Sequence, residues 1–155
     1  MKIIDLIETD TGSCQVVVFH GGRDFDQIDP TKLGTGEPGN IRPFGKGLYC
    51  GLAVTQNDMY SAIELAKVYA RKYGGKTATI HGFSATLPGK IKNLAYDNTG
   101  WARTGGAGWE AEALPWKPTA TASNGKEIAF TNTHLLSRLG KWPVDTPTEQ
   151  IIHSI

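Results

Sequence analysis

The sequence predicts an α+β fold with few helices, folded as a single domain over residues 1–155. Three observations carry that expectation. Short β-branched and aromatic runs recur along the chain, bounded by Gly and Pro. One long segment has helical periodicity. Strands outnumber helices and do not alternate with them, which argues against a doubly wound parallel sheet.

Taken in order, Gln15 to Phe19 (Gln-Val-Val-Val-Phe) reads as a strand that ends at His20-Gly21-Gly22. Residues 23–47 are rich in Gly and Pro and lack periodicity, so a long ordered loop is expected. Loops of that length in a small domain commonly carry function. Gly47-Leu48-Tyr49-Cys50-Gly51 reads as a second, buried strand. The helix is expected from about Asp58 to Tyr73, where Met59, Ala62, Ile63, Ala66, Tyr69, Ala70 and Tyr73 recur at three- and four-residue spacing. Thr55 with Asp58 offers a capping-box-like start. Arg71 and Lys72 suit the negative end of the helix dipole, and Gly74-Gly75 ends the helix. Thr77 to Phe83 and Lys90 to Leu94 are expected strands on either side of a Pro88-Gly89 turn. Glu110 to Leu114 and Glu127 to Thr131 are shorter ones. Pro115, Pro118 and Gly125 mark the stretch between those two as mostly loop. A short helix is expected after Trp142.

Composition narrows the function classes. A chain of this size buries roughly 68–70% of its unfolded surface, so a core forms without disulfides or metal. Sixteen Lys and Arg against fifteen Asp and Glu leave a net charge of +1. That balance argues against electrostatic capture of nucleic acid or anionic membrane as the main activity. Cys14 and Cys50 are too few for a disulfide scaffold and have no metal-ligand spacing, so no metal is expected. The N-terminal residues have no signal-peptide pattern, and no run approaches 18 apolar residues. A cytoplasmic protein is expected, with no membrane partner, and export by another route stays open.

Chemistry-bearing residues stand at the edges of the expected strands. His20 ends one, Tyr49 lies in the next and Glu127 opens a late one. Each has a plain structural role as an alternative. A strand-end His commonly bonds a nearby carbonyl, Tyr49 and Tyr69 pass as core aromatics, and Tyr73 is assigned to the core. Gly45 and Gly47 pass as turn residues, and Glu127 as a solvated strand start. A cysteine hydrolase built on Cys50 or Cys14 with His20 is disfavoured, because both thiols fall at buried strand positions.

Phe19-His20-Gly21-Gly22, then Phe44-Gly45-Lys46-Gly47-Leu48-Tyr49, then Ala66-Lys67-Val68-Tyr69-Ala70 within a helix, resemble motifs of one enzyme family. It is the diphtheria-toxin and poly(ADP-ribose) polymerase branch of the ADP-ribosyltransferases. Glu127-Ile128-Ala129-Phe130 is similar to that branch's third motif. Phe25-Asp26-Gln27-Ile28-Asp29 and Gly34-Thr35-Gly36-Glu37 also resemble such domains in large phage and mobile-element proteins. The resemblance covers residues from about 16 to 131.

The resemblance implies a split β-sandwich with an NAD cleft and a His-Tyr-Glu triad on three strands. It implies NAD as co-substrate and a protein or nucleic acid as acceptor, with an effector or toxin domain, cut from a longer polypeptide, as the setting. Glu127, His20 and Tyr49 would be the catalytic set; His20, Gly21, Gly22, Tyr49 and Tyr69 would hold NAD. Glu127 would stabilise positive charge developing on the ribose as nicotinamide leaves. His20 would orient a ribose hydroxyl, the Gly21 backbone the carboxamide, and Tyr49 and Tyr69 the nicotinamide ring. Tyr60 is a weaker candidate for that aromatic wall. Ala66 stands where the family often has Ser, which removes one polar contact.

Alternatives stay open within this reading. Glu110-Ala111-Glu112 has the Glu-x-Glu pattern of an arginine-modifying branch, so Glu112 is the alternative acid. Arg23, Arg42 and Lys46 are candidates for the pyrophosphate. Trp101, Trp109 and Trp116 precede Glu127 and are candidates for docking an acceptor. NAD hydrolysis is an expected side activity, and an inactive module that binds NAD, ADP-ribose or a partner is the competing function.

Overall fold

Val16, Val17, Val18 and Phe19 are each fully buried, the mark of a strand covered on both faces. They form the middle of β1 (Ser13–Gly22), one of the two central strands of the described sheet. The computed structural model describes residues 13–33, 47–53, 55–88, 114–118, 126–130 and 133–155. Within them the elements after β1 are β2 (Leu48–Ala53), α1 (Met59–Tyr73), β3 (Thr79–Pro88), β4 (Leu114–Pro118), β5 (Lys126–Phe130), β6 (Leu136–Pro143) and α2 (Thr148–His153). The strands form one antiparallel sheet in the order β4-β5-β2-β1-β3-β6. The α+β class follows directly.

Alternation along β1 divides the core in two. Val17 and Phe19 meet Met59, Ala62, Ile63, Ala66 and Ala70 of α1, with Ile151 and Ile155 closing the layer. Val16 and Val18 meet Leu48, Cys50, Leu52, Phe83 and Phe130 on the other face, where Phe25 and Ile28 give partial cover. The helix face is very close to the strands: a Cβ on Gly21 would run into the Ala66 carbonyl, and one on Gly51 into that of Ala62. Only glycine permits that approach. Lys67, which the periodicity did not assign to the core, is also buried, and its Nζ donates to the Thr146 carbonyl at 2.6 Å. That bond ties α1 to the turn before α2.

The expected helix and the short C-terminal helix are both present. Thr55 N–H donates to the Asp58 carboxylate at 3.0 Å at the start of the 3-10 turn that leads into α1. The described strands are joined in one hydrogen-bonded sheet, in which β1 and β2 pair over three residues. Other expectations need correction. β3 runs on to Pro88, past the expected end at Phe83, because it pairs with β1 along its whole length. Leu114 ends an expected strand, whereas residues 115–118, expected as loop, continue it as β4; β4 lies at the edge of the described sheet, where a proline whose missing N–H would face outward removes no ladder bond. β6 was not expected at all. Its register shifts between Gly82 and Phe83, which breaks the alternation that would mark a strand. Lys90 to Leu94 and Glu110 to Ala113 lie outside the described residues.

Candidate functional site

The site begins where β1 and β2 part. Their register pairs are Val17↔Ala53, Val18↔Leu52 and Phe19↔Gly51. Beyond Phe19, β1 continues against β3 as far as Gly22↔Thr79. Before Gly51, β2 continues against β5 as far as Leu48↔Phe130. His20 and Tyr49 stand on these two diverging stretches. The His20 ring bridges them: its Nδ1 donates to the Tyr49 carbonyl at 2.7 Å. A carbonyl only accepts, so Nδ1 carries the proton of this bond and Nε2 is the ring's other polar atom. A Cβ on Gly22 would lie 3.0 Å from that Nε2, so the second glycine makes room for the ring. The expected strand-end bond to a carbonyl is therefore real, and it fixes the ring's orientation.

A cavity of about 800 Å³ opens at this point. Among its lining residues are His20, Gly21, Gly22, Tyr49 and Tyr69, every residue expected to hold NAD. They come from β1, β2 and α1. Tyr49 is buried, while Tyr69 is half-buried with its ring 6.3 Å from that of Tyr73. Tyr73, assigned to the core from its spacing, is instead half-buried and lines the cavity, because α1 extends past the edge of the apolar layer there. Tyr60 is half exposed on the outer side of α1 and is not part of the wall. A hydrogen bond to Glu64 raises its pKa above the usual tyrosine value.

Charge around the cavity is mixed. Arg23, Lys32 and Lys72 line it, with the Lys72 ammonium 5.3 Å from the Tyr73 ring centre. Asp29 also lines it; its carboxylate accepts from the Thr31 hydroxyl and amide, which holds it below the usual carboxylate range. Arg42 and Lys46 lie outside the described residues, as do Glu112, Trp101 and Trp109. Cys50 is fully buried, closed to the approach of a substrate.

Glu127 sits on β5 opposite Gly51, two residues from the Tyr49↔Ala129 pair. Alternation puts positions 49, 51 and 127 on one face of the sheet. The three motif positions thus stand on β1, β2 and β5, which are adjacent in the sheet.

A second polar group, not anticipated from the sequence, supports the cavity. His81 is fully buried on β3, opposite His20 in the register, with ring centres 6.0 Å apart. Its Nε2 donates to the Arg23 carbonyl at 2.8 Å, and its Nδ1 accepts from the Arg138 guanidinium at 3.0 Å. Burial pushes its pKa down to about 4, so the ring is neutral near pH 7. Phe25 stacks on His81 at 3.8 Å between ring centres. Arg138 also donates to the carbonyls of Phe25 and Asp26 at 3.2 and 3.1 Å, and Lys141 reaches Asp24 and Asp26 at 2.7 Å each. The Lys141 bond holds Asp26 below the usual carboxylate range, and the two aspartates hold Lys141 above the usual lysine value. Among the described residues no cluster of His, Cys, Asp and Glu could hold a metal ion. No described helix is long and apolar enough to cross a membrane. No family model, curated protein or solved structure matches the chain.

Proposed function

We propose that the chain is a mono-ADP-ribosyltransferase that uses NAD as donor and releases nicotinamide. One observation carries the reading. The five residues singled out in the sequence as NAD ligands, up to 49 positions apart, line one cavity. Its volume of about 800 Å³ falls within the usual range of cofactor sites, roughly 300–1,000 Å³.

The lining also fits the chemistry of a dinucleotide. Tyr49, Tyr69 and Tyr73 offer aromatic surface for a flat nitrogen heterocycle. Arg23 and Lys72 offer cations for a diphosphate. His20, held by the Tyr49 carbonyl, offers an oriented ring for a ribose hydroxyl. NAD supplies the ADP-ribosyl group, and the bond to nicotinamide is the one that breaks. Glu127, on the strand beside Tyr49, is the carboxylate assigned to favour that step. The acceptor is a protein or nucleic acid, with water as the side reaction.

Nicotinamide release from NAD by the purified protein tests the proposal. Release by the wild type and its loss in Glu127→Gln support the His-Tyr-Glu assignment. Loss in Glu112→Gln alone keeps the enzyme and moves the acid. NAD binding without release, in the presence of candidate acceptors, turns the reading to the inactive binding module. Absence of both binding and release rejects it.

A further inference from the structure

We propose that Arg138 is a positioning residue for the cavity, a β6 clamp that holds residues 23–29 in place as one of its walls. The inference rests on the cavity being the NAD site. Arg23, Asp24, Phe25, Gln27, Ile28 and Asp29 all line the cavity, yet they precede only a single 3-10 turn, Pro30–Lys32. A segment without ladder bonds of its own needs side chains to fix it. β6 supplies them from the far side of β3.

The geometry is that of a fork. One Arg138 nitrogen bonds His81, and the other bonds the carbonyls of Phe25 and Asp26. The guanidinium carbon lies 5.3 Å from the Phe25 ring centre and 5.0 Å from that of Phe83, so the cation is flanked by two aromatic rings. His81 passes the constraint on by donating to the Arg23 carbonyl and stacking on Phe25. Lys141 adds the exposed Asp24 and Asp26 pairs, which are worth little alone. A planar, five-donor group makes these three Arg138 bonds at once, besides a longer one to the Gly140 carbonyl, and a lysine cannot. Arg138 itself does not line the cavity, so its effect reaches a ligand only through the segment it holds.

The test compares wild type, Arg138→Met, Arg138→Lys and Lys141→Gln by two readouts. Hydrogen–deuterium exchange follows residues 23–29, with α1 as internal reference, and thermal melting checks that each variant is folded. Nicotinamide release gives KM for NAD and kcat. Expected for Arg138→Met are faster exchange confined to 23–29 and a KM raised roughly tenfold, with kcat changed much less. Arg138→Lys should lie close to Arg138→Met, and Lys141→Gln close to wild type. Unchanged exchange in 23–29, or faster exchange with an unchanged KM, overturns the inference. A wild type that neither binds nor turns over NAD takes down the functional reading, and faster exchange in 23–29 of Arg138→Met would then place the failure in the ligand. Unchanged exchange beside normal turnover places it in the clamp.

Discussion

In the proposed reaction the carboxylate at position 127 and the imidazole at position 20 are asked for different chemistry, and substitution separates them. Glu127→Gln keeps size and shape but removes the negative charge proposed to stabilise the developing cation. Loss of one such electrostatic group costs about 10²–10³ in kcat, so nicotinamide release should fall by that order while NAD affinity, read by calorimetry, stays near wild type. Equal turnover would move the acid to Glu112 or discard the role. His20→Ala removes an oriented group that also ties β1 to the Tyr49 carbonyl. Affinity and turnover should drop together, and an unchanged NAD affinity would take His20 out of the site. The elements that carry these candidates were legible, because each residue falls in a short apolar run or on a periodic helix, beside the glycines that frame it. Arg138, His81 and Phe25 were not. Their contacts join residues 57 and 113 positions apart, and such pairs leave no local spacing to read.

At the scale of elements, the site depends on how closely α1 lies against β1 and β2. Gly21 and Gly51 allow the contact, and a methyl group at either would meet helix backbone, which cannot rotate away as a side chain can. Gly21→Ala and Gly51→Ala should each lower the urea midpoint, by about 1–3 kcal/mol of stability as for an overpacked core. Gly75→Ala is the useful contrast: nothing lies near its missing Cβ, but its φ of 58° disfavours any side chain, so a smaller loss of about 1 kcal/mol is expected there. Unchanged midpoints in Gly21→Ala and Gly51→Ala would mean that the helix stands farther off than described. The same elements explain what the sequence pattern could and could not predict. α1 was readable because seven apolar positions repeat along one face. β6 was not, because its exposure follows no strict alternation and the register shift at Gly82 and Phe83 adds a residue on that strand. β4 was hidden by prolines that only an edge strand tolerates.

At the scale of the whole molecule, β1, β3, β6 and the 23–29 wall meet at a single buried ring, which couples global stability to acidity. His81 has its pKa pushed down to about 4, chiefly by burial, while the unfolded chain returns it to the ordinary value near 6.5. Arg138 from β6 and His20 from β1 oppose a charge on it, whereas Asp24 and the Arg23 carbonyl from the 23–29 segment favour one. Between those two values the unfolded state binds a proton that the folded state refuses, so stability rises with pH across the window. The contribution is complete above about pH 6.5 and gone near pH 4, and it amounts to at most about 3 kcal/mol. Carboxylates titrate at the lower end of the same range, so the wild-type slope alone does not isolate the ring. His81→Gln does, since its amide can still donate to one carbonyl but takes up no proton. Urea unfolding at pH 7, 6, 5 and 4.5 should show the wild type losing more stability than His81→Gln as acid is added. Parallel curves would mean that the ring is charged or solvated in the folded protein. In that case the Nδ1 that accepts from Arg138 would carry a proton, and the clamp would have to be held by the Phe25 and Asp26 carbonyls alone.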